Sequence, residues 1–196
     1  MIHYRLAPLL ALGLSLAAGC LKPQTYVLPL LPHVTYGDLL VVQNPRSVVL
    51  TTEFQINGVP ASQASARFRE RVSRVLTTAR VFSVLSTGSV QNTDTLEIVL
   101  NNVGDVGDVA GRAFLTGLTL GASGSTVTDG YAMTATFTRV GQPPVVKVYK
   151  HALLSTIGNA RGPEGLTAMG ITEAFDQVLQ DLVLNLILDL QKAEVL

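Results

Sequence analysis

The chain has 196 residues, which is enough for one compact domain with an extension but too few for two domains of the usual size. Lys and Arg total 14 and Asp and Glu total 14, so the formal net charge is zero and we predict no nucleic-acid partner, which would need a basic surface. The single cysteine excludes an internal disulfide framework and a zinc site built on several thiolates.

Residues 1–19 have the plan of a secretory signal peptide. Arg5 is the only firm charge, an apolar run from Leu6 to Ala18 follows it, and the small residue Gly19 ends the segment. A membrane-spanning helix needs about 20 apolar residues, so a run this short is marginal for crossing a bilayer. We therefore predict a cleaved signal peptide over residues 1–19.

Residues 16–20 read Leu-Ala-Ala-Gly-Cys and resemble the lipobox of bacterial lipoproteins, in which small residues precede an obligatory cysteine. The resemblance implies a diacylglycerol on the Cys20 thiol, cleavage before Cys20, and acylation of the new amino group. Ala17 stands where leucine is commonest, which is a tolerated departure. The alternative is an ordinary signal peptide followed by a free cysteine.

The predicted lipid anchor at Cys20 also indicates the cellular location of the protein. Two or three acyl chains hold a protein stably at a membrane, whereas a single chain binds only reversibly. Leu21 stands where lipoproteins kept in an inner membrane often carry aspartate. For a Gram-negative source, the resemblance therefore implies a protein lipid-anchored to the outer membrane and facing the periplasm. For a Gram-positive source, it implies the outer face of the only membrane.

The segment after the cysteine, residues 20–46, contains Pro23, Pro29, Pro32 and Pro45 and shows no helical periodicity. Proline fixes φ and removes an amide donor, so a proline-rich stretch favours an extended backbone. We predict that residues 20–46 form an extended tether between the lipidated cysteine and the domain.

Residues 47–196 are predicted to form a single domain with the element order β-α-β-loop-β-β-α. The first helix carries a regular apolar stripe, and the strands alternate apolar and polar residues. This order predicts an α+β two-layer sandwich with a mainly antiparallel sheet and helices on one face. The predicted strands span residues 47–56, 95–103, 131–138 and 145–154. The first helix is predicted to start near Ser62, and Thr167 or Thr172 is predicted to cap a last helix that runs to about Gln191.

A Gly-rich apolar insertion occupies residues 104–130, and no charged residue occurs from Ala113 to Thr128. Three interpretations stay open: the segment packs on its own domain, it dips into the lipid, or it contacts a partner protein or a second copy of the chain. The candidate membrane or partner contacts are its large apolar residues, Phe114, Leu115, Leu118 and Leu120.

The sequence offers little for catalysis. His3 leaves with the signal peptide, His33 lies in the predicted tether and His151 lies in a predicted strand, so no metal cluster is indicated. Residues 121–125 match neither a nucleophile elbow nor a phosphate-binding loop. We therefore predict no catalytic residue, no metal and no cofactor, and a protein that is not an enzyme.

Four arginines make the first predicted helix locally basic. Such charges usually only make the exposed face of a helix hydrophilic. The functional alternative is that they contact a lipid headgroup or peptidoglycan. The four residues are Arg67, Arg69, Arg71 and Arg74.

Together with the lipobox, four further segments resemble a broad group of small, poorly characterised bacterial envelope lipoproteins. The resemblance covers roughly residues 20–190, and it implies a domain similar to the anticodon-binding-like α+β domain of the penicillin-binding-protein activator lipoproteins, the curli-secretion lipoprotein and the amino-terminal part of TolB. It implies a non-enzymatic envelope protein that binds partners, and it carries over no functional residue except Cys20. The four segments are residues 81–84, 96–100 and 118–121 and the strand after Asp129.

Three hypotheses about function follow. The first is a lipid-anchored envelope accessory protein that recruits a protein partner, or associates with itself, and raises the effective concentration of that partner at the membrane. The second is an auxiliary lipoprotein of a lipid or solute transport system, which a ligand-sized apolar cavity between helix and sheet would favour. The third is an envelope hydrolase, which would need polar residues converging on His151.

Overall fold

The structure is a computed structural model that describes residues 23–88, 90–103, 124–158 and 160–196. Cys20 and the candidate contacts Phe114, Leu115, Leu118 and Leu120 lie outside these residues. The described elements are β1 (Gln24–Val27), a 3-10 helix (Tyr36–Asp38), β2 (Arg46–Ile56), β3 (Val59–Pro60), α1 (Ser62–Ala79), β4 (Phe82–Ser86), β5 (Asp94–Val103), β6 (Gly124–Thr138), β7 (Val145–Gly158) and α2 (Ile171–Lys192).

The described strands form one sheet with the order β1-β7-β6-β5-β2-β3, and β4 also pairs with β2. Strand β2 is parallel to β4 and to β5, whereas the other four pairings are antiparallel. The predicted α+β class with a mainly antiparallel sheet is therefore confirmed. The short strands β1, β3 and β4 are absent from the predicted order, because two to five residues give too few alternations to recognise.

Both helices pack on one face of the sheet and share a single core with it. The predicted stripe of α1 is buried at Phe68, Val72, Val75 and Leu76, and α2 is buried at every residue from 181 to 187. The sheet contributes alternate side chains of its central strands, as their sequence pattern predicts. These buried side chains are Leu96, Ile98 and Leu100 of β5 and Tyr131, Met133, Ala135 and Phe137 of β6.

The predicted tether over residues 20–46 is wrong from Gln24 onward. Strand β1 pairs with β7 from Gln24 opposite Thr156, and Leu28 is fully buried. Leu28 packs with Ala152 and Leu154 in a second small core. By strand alternation this core lies on the sheet face away from the helices. The apolar residues between the prolines pair and pack with β7, so the segment from Gln24 onward is part of the domain.

The Gly-rich insertion is shorter than the predicted residues 104–130. Strand β6 begins at Gly124, and β7 runs to Gly158, which pairs with Gly124. Glycine weakens the local preference for a strand, and at Gly124 and Gly130 the continuous pairing with β7 overrides that preference. Residues 124–130 therefore belong to a long β6–β7 ribbon.

Helix α2 begins at Ile171 with Gly170 at its N-cap, so neither Thr167 nor Thr172 caps it. Of the helices in the described ranges, none has the length and hydropathy required to span a membrane.

Candidate functional site

A tight turn places the first helix beside the end of β2. Asn57 and Gly58 both have positive φ, 50° and 79°, which is the geometry of a two-residue type I′ hairpin. Strand β3 then leads into α1, and the Phe54 N–H donates a hydrogen bond of 2.9 Å to the Ser65 hydroxyl. This bond fixes the first turns of α1 against the last residues of β2.

A groove of about 710 Å³ opens at this junction, between α1, the end of β2 and the start of α2. Its volume lies within the range of about 300–1,000 Å³ that is usual for small-molecule sites. The side chains that define it are Phe54, Ile56, Ala64, Arg67, Phe68 and Phe175.

The floor of the groove is aromatic. The ring of Phe54 lies 6.0 Å from that of Phe68 and 6.3 Å from that of Phe175, both edge to face. Tyr131 packs against Phe175 at 5.5 Å, and burial raises the pKa of Tyr131 to about 12, so its hydroxyl is protonated at neutral pH. Residues of β2, α1 and α2 thus form the aromatic floor, and Tyr131 of β6 packs against it.

The arginines of α1 have different surroundings. The Arg71 guanidinium lies 5.4 Å from the centre of the Phe175 ring and forms an ion pair with Asp176. Arg74 forms an ion pair with Glu70 at 3.2 Å. Arg67 lines the groove, is exposed, and forms no ion pair with any residue that the structure describes. Arg67 is therefore the cation available to a bound molecule.

Exposed apolar side chains continue outward from the groove. Ile56 lines it and pairs in the sheet with Val59, and both are exposed. Ile171 is also exposed and lies one helical turn before Phe175. The apolar surface is therefore wider than the groove itself.

A polar cluster separate from the groove surrounds His151, which the sequence predicts to lie in a strand. The buried His151 accepts a hydrogen bond at Nδ1 from the Ala152 N–H at 2.9 Å, so its proton is on Nε2, 3.4 Å from Asp181 Oδ2. Asp181 Oδ1 lies 3.7 Å from Nδ1 of His33. The structure thus brings together two histidines that are 118 positions apart in the chain.

Polar side chains of α2 also hold the amino-terminal segment, residues 28–42. The Asn185 amide donates to the Pro32 carbonyl at 3.0 Å, and the Gln191 side chain bonds to the Leu40 backbone. We call Asp181, Asn185 and Gln191 the clasp. The signal for it in the sequence is that these three polar residues lie among the buried apolar positions of the last helix. The other polar residues of this helix make that signal hard to recognise.

No protein-family profile matches the chain, and no curated protein sequence matches it. Solved structures with similar backbones include rare lipoprotein B from Shewanella oneidensis, with 8% identity, 76% of this chain and 92% of that chain covered, and a TM-score of 0.34. A neuraminyllactose-binding hemagglutinin homolog from Helicobacter pylori has 14% identity, coverage of 83% and 92%, and a TM-score of 0.46. A DUF4136 family protein from Bacteroides thetaiotaomicron has 12% identity, coverage of 89% and 97%, and a TM-score of 0.29.

Proposed function

We propose that this chain is a lipid-anchored accessory protein of the bacterial cell envelope that binds a protein partner and catalyses no reaction. The anchor is Cys20, at the outer membrane and facing the periplasm. The observation that supports the binding role is the groove with its aromatic floor, its exposed apolar border and Arg67, which has no ion-pair partner among the described residues.

The composition of the groove supports a protein partner. Aromatic residues and arginine supply most of the binding energy at protein interfaces, and they act best in the centre of a patch from which water is excluded. Phe54 and Phe175 form such a centre, and Arg67 stands beside it. The exposed Val59 and Ile171 widen the apolar surface beyond what a small ligand needs.

The volume of the groove favours a second candidate, an auxiliary lipoprotein of a lipid or solute transport system. A space of about 710 Å³ with a largely apolar lining is large enough for an apolar ligand such as an acyl chain. In that case the ligand would lie along Phe54, Phe68 and Phe175, with Arg67 near a polar or anionic end.

Photocrosslinking in native envelopes separates the two candidates. A benzophenone amino acid replaces Ile56, which is 49% exposed at the groove, or Val146, a control that is 55% exposed on the opposite face of the sheet. We expect a discrete protein adduct at position 56 only, and we expect Arg67→Glu to abolish it. A lipid adduct at position 56 would instead favour the transport role. Equal labelling at both positions, or none, would contradict binding at the groove.

A further inference from the structure

The start of the described chain is close to the predicted anchor. Residues 21–23 separate Cys20 from Gln24, the first residue of β1. A fully extended chain spans at most about 3.6 Å per residue, so Gln24 lies within ~14 Å of the Cys20 backbone. The lipid attached to Cys20 therefore holds this part of the sheet close to the bilayer.

The register of the sheet identifies which end of each strand lies near the anchor. Gln24 pairs with Thr156, and Thr156 pairs with Thr126, so three strands meet at the same level. Beyond them the β6–β7 ribbon continues to Gly124 and Gly158, which form its last pair. The first residue of β1 and this end of the ribbon thus point in the same direction.

The described residues of the strands at this end of the sheet carry no charge. Residues 23–32, 124–128 and 152–158 contain no Asp, Glu, Lys, Arg or His. The nearest charged or titratable residues along the chain are Lys22, which is two residues before β1, Asp129 in β6, and His151 and Lys150 in β7; the loop after β7 adds Arg161 and Glu164. Residues 124–129 of β6 pair with β7 along one edge, and the described pairing of β6 with β5 begins only at Gly130. The backbone groups of the other edge are therefore available to water or to polar groups of the headgroup region, where hydrogen-bond partners are present.

Two apolar side chains are exposed on the ribbon. Val127 is 48% exposed and Ile157 is 43% exposed. Val127 pairs with Ser155, which lies two residues before Ile157, so both side chains lie on the same face. Apolar side chains at the end of a protein beside a lipid anchor add to its membrane affinity by entering the boundary between headgroups and acyl chains.

We propose that the end of the sheet formed by residues 124–128 and 153–158, with Val127 and Ile157 at its surface, lies against the lipid bilayer. This rests on the proposed lipidation of Cys20. The anchor and the ribbon together then hold the domain in one orientation, with the turn between β6 and β7 away from the membrane. Ile157 lies 12 positions after Val145 along β7, which is about 40 Å at 3.4 Å per residue.

The test uses the full lipidated protein with one added cysteine. Because the thiol of Cys20 carries the diacylglycerol, a thiol-reactive fluorophore labels only the new site. Ile157→Cys and Val127→Cys place the probe on the ribbon, and Val140→Cys places it in the opposite turn, where Val140 is 46% exposed. The protein is reconstituted in vesicles of phosphatidylethanolamine and phosphatidylglycerol that contain brominated acyl chains.

We expect fluorescence quenching by the brominated lipid to be at least twofold greater at positions 127 and 157 than at position 140. Vesicle-bound protein with equal quenching at all three positions, or with the greatest quenching at position 140, would overturn the proposed orientation and leave the anchor intact. Failure of the protein to bind the vesicles at all would overturn the anchor, and the orientation with it.

Discussion

The side-chain amide of Gln191 makes two hydrogen bonds to the backbone of Leu40. The Leu40 N–H donates to Gln191 Oε1 at 2.9 Å, and Gln191 Nε2 donates to the Leu40 carbonyl at 2.7 Å. The two residues are 151 positions apart in the chain. A single buried side chain on α2 therefore fixes the segment that joins β1 to β2.

Replacing Gln191 should destabilise the domain. Gln191→Met keeps the approximate volume but removes both hydrogen bonds, and we expect the free energy of unfolding to fall by about 1–3 kcal/mol. Urea denaturation measures the change. Gln142→Ala, at an exposed turn residue, is the control and should change stability by less than about 0.5 kcal/mol. An equally small effect of Gln191→Met would show that the clasp contributes little.

Stability should depend on pH through Asp94. Arg46 donates hydrogen bonds of 2.5 and 3.0 Å to this buried carboxylate, and Val140 N–H adds one of 2.9 Å. The hydrogen bonds from Arg46, with the one from Val140, hold the pKa of Asp94 below its usual value. A lowered pKa in the folded state stabilises the fold above the pKa of the unfolded chain, near 3.9, and this stabilisation is lost as the pH falls through the folded-state pKa.

We therefore expect Asp94→Asn to lower the free energy of unfolding by about 1–3 kcal/mol at pH 7. The difference between Asp94→Asn and the wild type should shrink steadily as the pH falls below about 4. Urea midpoints measured from pH 3 to 7 test this, with the exposed Glu97→Gln as control. A difference that is constant over this range would contradict the assignment.

Partner binding should depend on Arg67. Arg67→Glu reverses the one cation of the groove that has no ion pair among the described residues, and we expect a loss of affinity of about tenfold or more, equal to ~1.4 kcal/mol. Arg69→Glu is a matched control, because Arg69 is also exposed on the same helix but does not line the groove. Similar losses for both variants, measured against the crosslinked partner, would indicate general charge attraction.

Membrane attachment should depend on Cys20. Cys20→Ser removes the thiol that the lipobox resemblance predicts to be acylated, so we expect loss of palmitate labelling and release from the membrane fraction. Ala17→Leu introduces the residue that is commonest at this lipobox position, and it should keep both the palmitate labelling and the membrane attachment. Unchanged membrane partitioning of Cys20→Ser would contradict lipidation.

Periodic patterns predict the core of the fold well. The stripe of α1 and the alternation in β5 and β6 place the correct residues inside, since each pattern is local and faces one hydrophobic core. The tether prediction fails for a physical reason. Proline content describes only the local backbone, whereas β1 gains its partner from β7, about 130 residues later in the chain.

The groove could not be predicted from local sequence patterns either. The sequence shows that α1 is rich in arginine, but it does not distinguish Arg67 from Arg71. Only the folded chain shows that Arg71 forms an ion pair with Asp176. Phe54 and Phe175 belong to elements far apart in the chain, and each alone has the pattern of an ordinary core residue. A site assembled from three elements therefore becomes visible only when tertiary contacts are known.

The pairing of β1 with β7 has a mechanical consequence. The lipid proposed at Cys20 would pull on the domain along the direction of β1, because the chain enters that strand at Gln24. The hydrogen bonds of an antiparallel pair stand perpendicular to the strands, so a pull along the strand loads them together in shear and does not open them one by one. The four residue pairs from Gln24 to Val27 thus share the force when the membrane and a bound partner move apart.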